Sequence, residues 1–243
     1  MSFDLVRFSS DEELAGGAAT DWIKALRNRK PPQTNYVVAL SGGRIARTFF
    51  KETVKLAKQG ADDAGTKRLF QSVHFFWGDE RCVPPGDPES NFGAASELLL
   101  KPLGIPDANI HRVRGEGPEE FALREAVNDI CTAAPVVNGQ PVLDLVILGM
   151  GEDGHVASLF PGEPEEVRSS ALVYRAVTAV KPPPRRITVG YAVIAAAREV
   201  WVIAAGAGKE GALKESLLPR GKTPLARVLG QRAQTRILTD IPG

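Results

Sequence analysis

The chain has 243 residues, of which 43% are hydrophobic and 24% are charged, and its 30 basic and 29 acidic residues leave a net charge of +1. This composition excludes a largely disordered chain and a global positive field for nucleic-acid binding, and no apolar run approaches the about 20 residues of a membrane-spanning helix. Two cysteines, Cys82 and Cys131, are too few for a disulfide framework, so we expect a cytoplasmic protein. From the charge balance and the short apolar runs, we expect it to bind neither nucleic acid nor membrane.

Short apolar segments alternate along the chain with longer amphipathic ones. The short segments are β-branched or aromatic and most end at Gly, Asp or Ser, which predicts strands that are covered on both faces. The longer segments have the pattern of helices, and Ser10 or Asp11 is suited to be the N-cap of the first. The pattern predicts helices at 11–29, 45–58, 91–101, 118–133, 207–217 and 222–230, and strands at 36–40, 73–77, 143–148, 186–194, 199–205 and 235–239.

This alternation predicts an α/β fold: a single domain over residues 1–243, with a mainly parallel sheet flanked by helices on both faces, in the manner of a modified Rossmann fold. In such sheets, ligands bind beyond the carboxyl ends of the strands. The residues that follow each predicted strand are therefore the first candidates for function.

A glycine turn follows the first of these strands. Ser41, Gly42, Gly43 and Arg44 stand between that strand and a helix. The glycines let the backbone approach a ligand closely, the helix N-terminus offers free N–H groups, and Arg44 adds a cation, so the turn is a candidate phosphate site. It is not a Walker A loop, because the GK[ST] is missing. The alternative is a plain glycine turn with a surface arginine.

Three charged residues, Asp79, Glu80 and Arg81, follow the second strand, which is unusual for a packing turn. Arg81 is suited to hold a phosphate or a carboxylate with two hydrogen bonds. The carboxylates would accept hydrogen bonds from sugar hydroxyls or hold Arg81 in place, and the alternative is a solvated turn. We interpret Cys82 as a small buried hydrophobic residue rather than a nucleophile.

The loop after the third strand, GMGEDGHVASLFPG at 149–162, matches G-x-G-x-x-G. A dinucleotide site is rejected, because Glu152 and Asp153 would face a pyrophosphate and no acid ends a second strand about 20 residues further on. His155 stands on this flexible turn two residues after Asp153, which suits a general base with a carboxylate that fixes its tautomer. Spacing does not decide whether Asp153 reaches the ring, and the alternative is a structural histidine that caps a short helix.

The other histidines, His74 and His111, are interpreted as structural. Three histidines and two cysteines show no metal-ligand spacing, so we predict no metal site. Lys209 is placed at the start of a helix, where a cation opposes the helix dipole and suggests an anionic ligand; a solvated lysine is the alternative. Further basic residues flank the proline run at 182–184: Lys181, Arg185 and Arg186.

Together these loops resemble the 6-phosphogluconolactonase family, within the wider glucosamine-6-phosphate deaminase and isomerase superfamily. The resemblance is carried by GDERCVP (78–84) with DPESN (87–91), DLVILGMGEDGHVASLFPG (144–162), KPPPRRIT (181–188) and the GAGK that ends at Lys209. It implies the hydrolysis of 6-phospho-D-glucono-1,5-lactone to 6-phosphogluconate by a single α/β domain, without a metal or an organic cofactor.

The resemblance also implies roles for individual residues. His155 is the implied base, with Asp153 beside it, and the phosphate is held by the SGG turn and by basic side chains. Together with the residues singled out above, the predicted substrate-binding set is Ser41, Gly42, Gly43, Arg44, Asp79, Arg81, Asn91, Lys181, Arg186 and Lys209.

The chain departs from the family at the first turn, where SGGSTP is usual and SGGRIA stands here. Two hydroxyls and a proline are lost, and Arg44 would supply a charge instead. Arg185 stands where an acid is common in the family, and the sequence offers no account of it. Two other functions stay open: an amino-sugar phosphate deaminase or isomerase, and a non-catalytic sugar-phosphate sensor. The expected partner is a small sugar-phosphate lactone, and the expected assembly is a monomer or a weak homodimer.

Overall fold

The computed structural model describes residues 2–29, 35–59 and 62–242. The strands are β1 (Phe3–Arg7), β2 (Tyr36–Leu40), β3 (Val73–Trp77), β4 (Asp79–Arg81), β5 (Val136–Val137), β6 (Gln140–Pro141), β7 (Leu145–Gly149), β8 (Tyr174–Thr178), β9 (Arg185–Val189), β10 (Glu199–Ala204) and β11 (Thr235–Thr239). The helices are α1 (Asp11–Arg27), α2 (Arg44–Lys58), α3 (Asp63–Phe70), α4 (Asn91–Ala95), α5 (Lys101–Leu103), α6 (Glu119–Ala133), α7 (Glu165–Arg168), α8 (Tyr191–Ala196), α9 (Glu210–Ser216) and α10 (Pro224–Gly230). A π-helical turn, Ser96–Leu100, joins α4 to α5, and a 3₁₀ turn covers Asp107–Asn109.

Six strands form one parallel sheet in the order β1-β11-β10-β7-β2-β3. Neighbouring residues of one strand belong to two different hydrophobic cores, one on each face of the sheet, and helices cover both faces. Val38 belongs to the core that includes residues of α1, α2, α3 and the α4–α5 segment, whereas Ala39 belongs to the core that includes residues of α6, α8, α9 and α10. The predicted α/β fold with a mainly parallel sheet flanked by helices is therefore confirmed. None of the described helices is long and apolar enough to cross a bilayer.

A second, antiparallel sheet of β4, β9 and β8 packs beside the first. The sequence predicts Asp79–Arg81 as a charged turn and no strand at Tyr174–Thr178, because strands this short and polar lack a clear alternation. Pairing with β9, more than a hundred positions along the chain, makes β4 a strand. The predicted strand 186–194 ends at Val189, since Gly190 becomes the N-cap of α8.

Other predicted elements differ in detail. Strand β1, helix α3 and the β5–β6 hairpin are absent from the predicted set. The predicted helix 91–101 is broken by the π-helical turn, and the predicted helix 207–217 begins only at Glu210. Ser10 rather than Asp11 is the N-cap of α1, because its side chain accepts a hydrogen bond from the Glu13 N–H.

His74 and His111 form a stacked pair beside β3. His74 Nδ1 lies 2.9 Å from His111 Nε2, and the His111 ring also stacks on Phe76 with centroids 4.4 Å apart. One proton shared between the two nitrogens holds the pair together. The structural interpretation of both residues agrees with this packing.

The histidine pair predicts a loss of stability on acidification. Burial lowers the pKa of His74 and of His111, and the neighbouring His74 lowers that of His111 further. Histidines of an unfolded chain titrate near pH 6.5, so below that pH the unfolded chain binds more protons than the folded one. The free energy of unfolding should therefore fall as the pH falls through about 6.5. Urea unfolding at about pH 7.5 and about pH 5.5 measures this loss.

The control is a variant that lacks both rings, His74→Gln with His111→Gln. Its loss of stability between the two pH values should be smaller than that of the wild type, because neither glutamine takes up a proton. An equal loss in the two proteins would place the acid-sensitive groups elsewhere.

Candidate active site

A cavity of about 140 Å³ opens at the carboxyl edge of the parallel sheet. It is bordered by the turns after β2, β3, β7 and β10, which is where ligands bind in sheets of this kind. The structure brings all but Asp153 and Lys181 of the predicted site residues to its wall. The lining residues are Ser41, Gly42, Gly43, Arg44, Ile45, Asp79, Arg81, Asn91, Gly149, Met150, Gly151, His155, Ala157, Arg186 and Lys209.

The structure answers whether Asp153 reaches the imidazole. Asp153 Oδ1 lies 2.6 Å from His155 Nδ1 and accepts a further hydrogen bond of 3.1 Å from the His155 backbone N–H. Burial alone would raise the pKa of the Asp153 carboxyl, but these hydrogen bonds bring it below its ordinary value. The carboxylate thus holds the proton of the neutral ring on Nδ1 and leaves Nε2 as the basic nitrogen. Residues 156–159 form single β-bridges rather than a short helix, so His155 has no helix to cap there.

Gly151 makes room for the imidazole. A Cβ atom built on Gly151 would lie 2.1 Å from His155 Nδ1 and Cε1. The backbone N–H of Gly151 donates to the carbonyl of His155 at 2.9 Å, which closes the loop around the ring. The orientation of the ring therefore depends on the missing side chain at this position.

Gly151→Ala is expected to lower kcat by about 10²-fold, because the added methyl group pushes the ring from Asp153 and small displacements of a catalytic group have effects of this size. Steady-state kinetics with the substrate proposed below measures the change. Gly16→Ala is the matched control, since a Cβ on Gly16 in α1 meets nothing within 4 Å. Full activity of Gly151→Ala would show that the ring tolerates a different position.

Asp79 and Asn91 form the buried polar wall of the cavity. Asn91 Nδ2 donates to the Asp79 carbonyl at 2.9 Å, and Ser158 Oγ donates to Asp79 Oδ2 at 2.7 Å. A Cβ on Gly42 would lie only 1.8 Å from Asn91 Oδ1, so glycine is needed there. Ser158 is missing from the predicted site, and the only signal for it is its place in the ASLFPG stretch.

Glu80 has a structural role, which the sequence left open. Its buried carboxylate accepts hydrogen bonds from the backbone N–H groups of Arg81, Asn91 and Phe92 at 2.7–2.8 Å. Burial raises the pKa of Glu80, and these N–H groups act against that rise. Glu80 therefore fixes the start of α4 and the position of Asn91. Arg81 is held instead by Glu89, whose carbonyl and carboxylate accept from Nη1 at 2.9 and 3.1 Å.

Two arginines face each other across the small sheet. Arg81 and Arg186 are direct partners in the antiparallel register of β4 and β9. Burial, and then the charge of Arg81, lower the pKa of Arg186, whose side chain donates to the carbonyls of Pro183 and Lys181 at 3.0 and 3.1 Å. Like charges opposite each other destabilise a sheet, so this pair favours an anionic ligand in the cavity.

A second pair of cations lies at the starts of α2 and α9. Arg44 is mostly exposed and bonds to Asp11 at 2.9 Å while it borders the cavity. Lys209 lies at the start of a helix, as the sequence predicts, and is the N-cap of α9. Burial, followed by the charge of Arg44, lowers its pKa. The α2 N-terminus lacks a side-chain cap and an acid in its first turn. Its free N–H groups and these cations all suit a phosphate.

Two further cations lie away from the cavity. The Lys181 side chain is 79% exposed, and its Nζ lies 3.8 Å from Glu152 of the loop at 149–162. Its predicted contact with substrate thus stays a prediction. Arg185 bonds to Glu119 at 3.3 Å, at the first turn of α6. The ion pair with Glu119 explains the position of Arg185, which the sequence alone did not explain.

Two buried polar atoms at the cavity have no hydrogen-bond partner among the described residues. They are Ser41 Oγ and Arg81 Nε. Buried polar atoms are nearly always satisfied, so these two atoms are candidates for contacts with a ligand. Within the described part of the chain, no group of three or more His, Cys, Asp or Glu side chains has the arrangement of a metal site.

The fold and this cavity define an α/β protein with a pocket that is lined by several cations and by a histidine paired with an aspartate. Residues 9–238 match the family described as glucosamine-6-phosphate isomerases/6-phosphogluconolactonase. The chain belongs to this family, and the resemblance seen in its loops is confirmed.

Relatives and a solved structure agree with this assignment. The chain is 36% identical over 222 residues to 6-phosphogluconolactonase of Mycobacterium tuberculosis, covering 89% of the chain and 87% of the relative. It is 34% identical over 245 residues to 6-phosphogluconolactonase of Streptomyces coelicolor, covering 97% and 91%. The structure of 6-phosphogluconolactonase from Trypanosoma brucei superposes with a TM-score of 0.82 at 26% identity, covering 97% of this chain and 95% of that one.

Proposed function

We propose that this protein hydrolyses 6-phospho-D-glucono-1,5-lactone to 6-phospho-D-gluconate, a step of the oxidative pentose phosphate pathway. The observation that carries this function is that His155, which is paired with Asp153, lines one cavity together with several cations. The similar proteins from M. tuberculosis and S. coelicolor are named for this activity. A base beside a phosphate pocket is what a water-dependent reaction of a phosphorylated lactone requires.

The charges of the cavity suggest how the substrate lies. The phosphate contacts the N–H groups at the start of α2 together with Lys209 and Arg186, and this places C1 of the lactone at His155. The sugar hydroxyls face the buried wall of Asp79 and Asn91, where carboxylate and amide groups offer hydrogen bonds. Arg44 adds charge at the phosphate end in place of the hydroxyls that the family usually has there.

In the reaction, His155 Nε2 takes a proton from a water molecule, and the resulting hydroxide attacks the C1 carbonyl. A tetrahedral oxyanion forms on the former carbonyl oxygen. When it collapses, the bond between C1 and the ring oxygen breaks, and the imidazolium returns its proton to that oxygen. Asp153 stabilises the imidazolium that exists between the two proton transfers.

The oxyanion needs a donor that is already in place. Arg81 is the favoured donor, because its Nε has no partner among the described residues and its Nη1 is fixed by Glu89. The N–H groups of Gly151 and Gly154 already donate to carbonyls within their own loop. A preorganised donor of this kind stabilises the transition state without further rearrangement.

The remaining expectations from the sequence are part of the proposal. We keep a single domain over residues 1–243, a monomer or weak homodimer, and a cytoplasmic location. The low cysteine content supports a reducing compartment. Lys181 is kept as a substrate contact at the rim of the site.

The decisive experiment follows lactone hydrolysis by the purified protein against the spontaneous rate, at several enzyme concentrations. A rate proportional to enzyme supports the proposal. Ammonia release from glucosamine 6-phosphate in a parallel assay would instead identify a deaminase. Binding of 6-phosphogluconate without any turnover of lactone would identify a sugar-phosphate sensor.

A further inference from the structure

Phe160 lies on the loop at 149–162, five residues after His155. Its backbone is fixed by its surroundings: Leu159 and Ser158 are fully buried, and Ser158 is tied to Asp79. The half-buried Phe160 ring borders a groove of about 710 Å³ outside the site cavity, and His155 borders both spaces. The phenyl ring therefore stands at the outer side of the imidazole.

The Phe160 ring contacts two side chains of the site cavity, the His155 imidazole and the Arg186 guanidinium. Its centroid is 5.0 Å from that of the His155 imidazole, with 48° between the planes, and 5.8 Å from Cζ of Arg186. On its other side, Arg186 is held by the carbonyls of Lys181 and Pro183. One aromatic ring thus touches the base and a cation of the anion pocket at once.

Each contact has a different consequence for the reaction. Aromatic faces attract cations, so the ring stabilises His155 more strongly once it has taken a proton, which is the form that develops in the transition state. The guanidinium of Arg186 is charged throughout, so its contact with the ring affects binding and positioning in the ground state as well. The contact with His155 should therefore act on kcat, and that with Arg186 on KM.

We infer that Phe160 is a positioning residue for the proposed lactone hydrolysis, which aligns the His155 imidazole and the Arg186 guanidinium through the face of a single aromatic ring. The inference rests on the proposed function, since it assigns how two residues of that site are held. It requires an aromatic ring at position 160 rather than merely an apolar side chain of similar size.

The experiment compares kcat and KM of the wild type, Phe160→Leu and Phe160→Tyr in lactone hydrolysis. Phe160→Leu keeps an apolar side chain without a ring, and we expect kcat to fall about three-fold and KM to rise about three-fold, so that kcat/KM falls about ten-fold. Phe160→Tyr keeps the ring, and kcat/KM should stay within about two-fold of the wild type. A purely structural role would not separate the two variants in this way.

Phe121→Leu is the matched control, because the Phe121 ring on α6 also carries an arginine, Arg124, at 5.3 Å but lies outside the cavity lining. It should leave kcat and KM unchanged. If Phe160→Leu does not fold, as judged by thermal unfolding, Phe160→Met makes the same comparison. A ring-free variant that matches the wild type, or a tyrosine variant that loses as much activity as the ring-free one, overturns the inference.

A failure of the inference about Phe160 can be told apart from a failure of the proposed lactone hydrolysis. An active wild type beside an inactive His155→Ala supports the function, and the Phe160 variants then decide this inference alone. A wild type without hydrolysis above the spontaneous rate overturns both.

Discussion

Replacing His155 by alanine should lower kcat for lactone hydrolysis by about 10²–10⁴-fold, with little change in KM. Removing a general base has an effect of this size, because water then attacks without transfer of its proton to a positioned nitrogen. KM should change little, because the proposed phosphate contacts come from other parts of the chain. These are the start of α2, Arg186 and Lys209. Initial rates with freshly prepared lactone, corrected for the spontaneous reaction, measure the effect.

His111→Gln is a control of the same residue type. His111 lies beside β3 and away from the cavity lining, so its loss should affect stability but not kcat. Asp153→Asn tests the other half of the pair: the asparagine leaves the ring in place but no longer favours the proton on Nδ1. A His155→Ala variant with nearly wild-type kcat would refute the role of the imidazole as the base.

Replacing Arg186 by alanine should raise KM by about 30- to 1000-fold, which corresponds to about 2–4 kcal/mol in binding. Arg186 is only 6% exposed, and a buried charge that meets a phosphate loses far more on truncation than a surface one. The effect of Arg186→Ala on kcat should be smaller, because the general base His155 and its partner Asp153 remain in place. A full series of lactone concentrations separates KM from kcat.

The neighbouring residue offers a matched control. Arg185→Ala removes the same charge one position earlier, but Arg185 is 64% exposed and pairs with Glu119 rather than the cavity. Its KM should stay within about two-fold of the wild type, since surface ion pairs contribute little. Equal KM values for Arg185→Ala and Arg186→Ala would remove Arg186 from the phosphate site and leave only a general effect of charge.

The parallel sheet and its site edge could be predicted because their signals are local. The buried strands at 36–40, 73–77 and 235–239 are short apolar runs, and the structure gives them these same bounds. The small sheet could not be predicted in the same way. Its strand Asp79–Arg81 has three charged residues and becomes a strand only through pairing with residues 186–188.

In the site, too, some features could be predicted from the residue types and others depend on the fold. The residue types of the GEDGH loop indicate a base and an acid, but the 2.6 Å contact between Asp153 and His155 depends on the loop conformation. Glu80 and Arg81 are adjacent in the sequence and have similar polarity, yet one turns inward to fix α4 while the other borders the cavity. The alternation of side chains along β4 and the position of α4 decide which of the two residues borders the cavity. Neither can be inferred from the residue types.

Apolar patterning and the residues behind each strand were enough to predict the class of fold, the edge of the sheet with the cavity and most of the side chains that line it. Three features became visible only in the folded chain: which charged side chains line the cavity, the position of Lys181 outside that lining, and the contacts of Phe160 with His155 and Arg186. The physical reason is that side-chain partners come from segments far apart in the chain, whereas sequence patterns report only on neighbours.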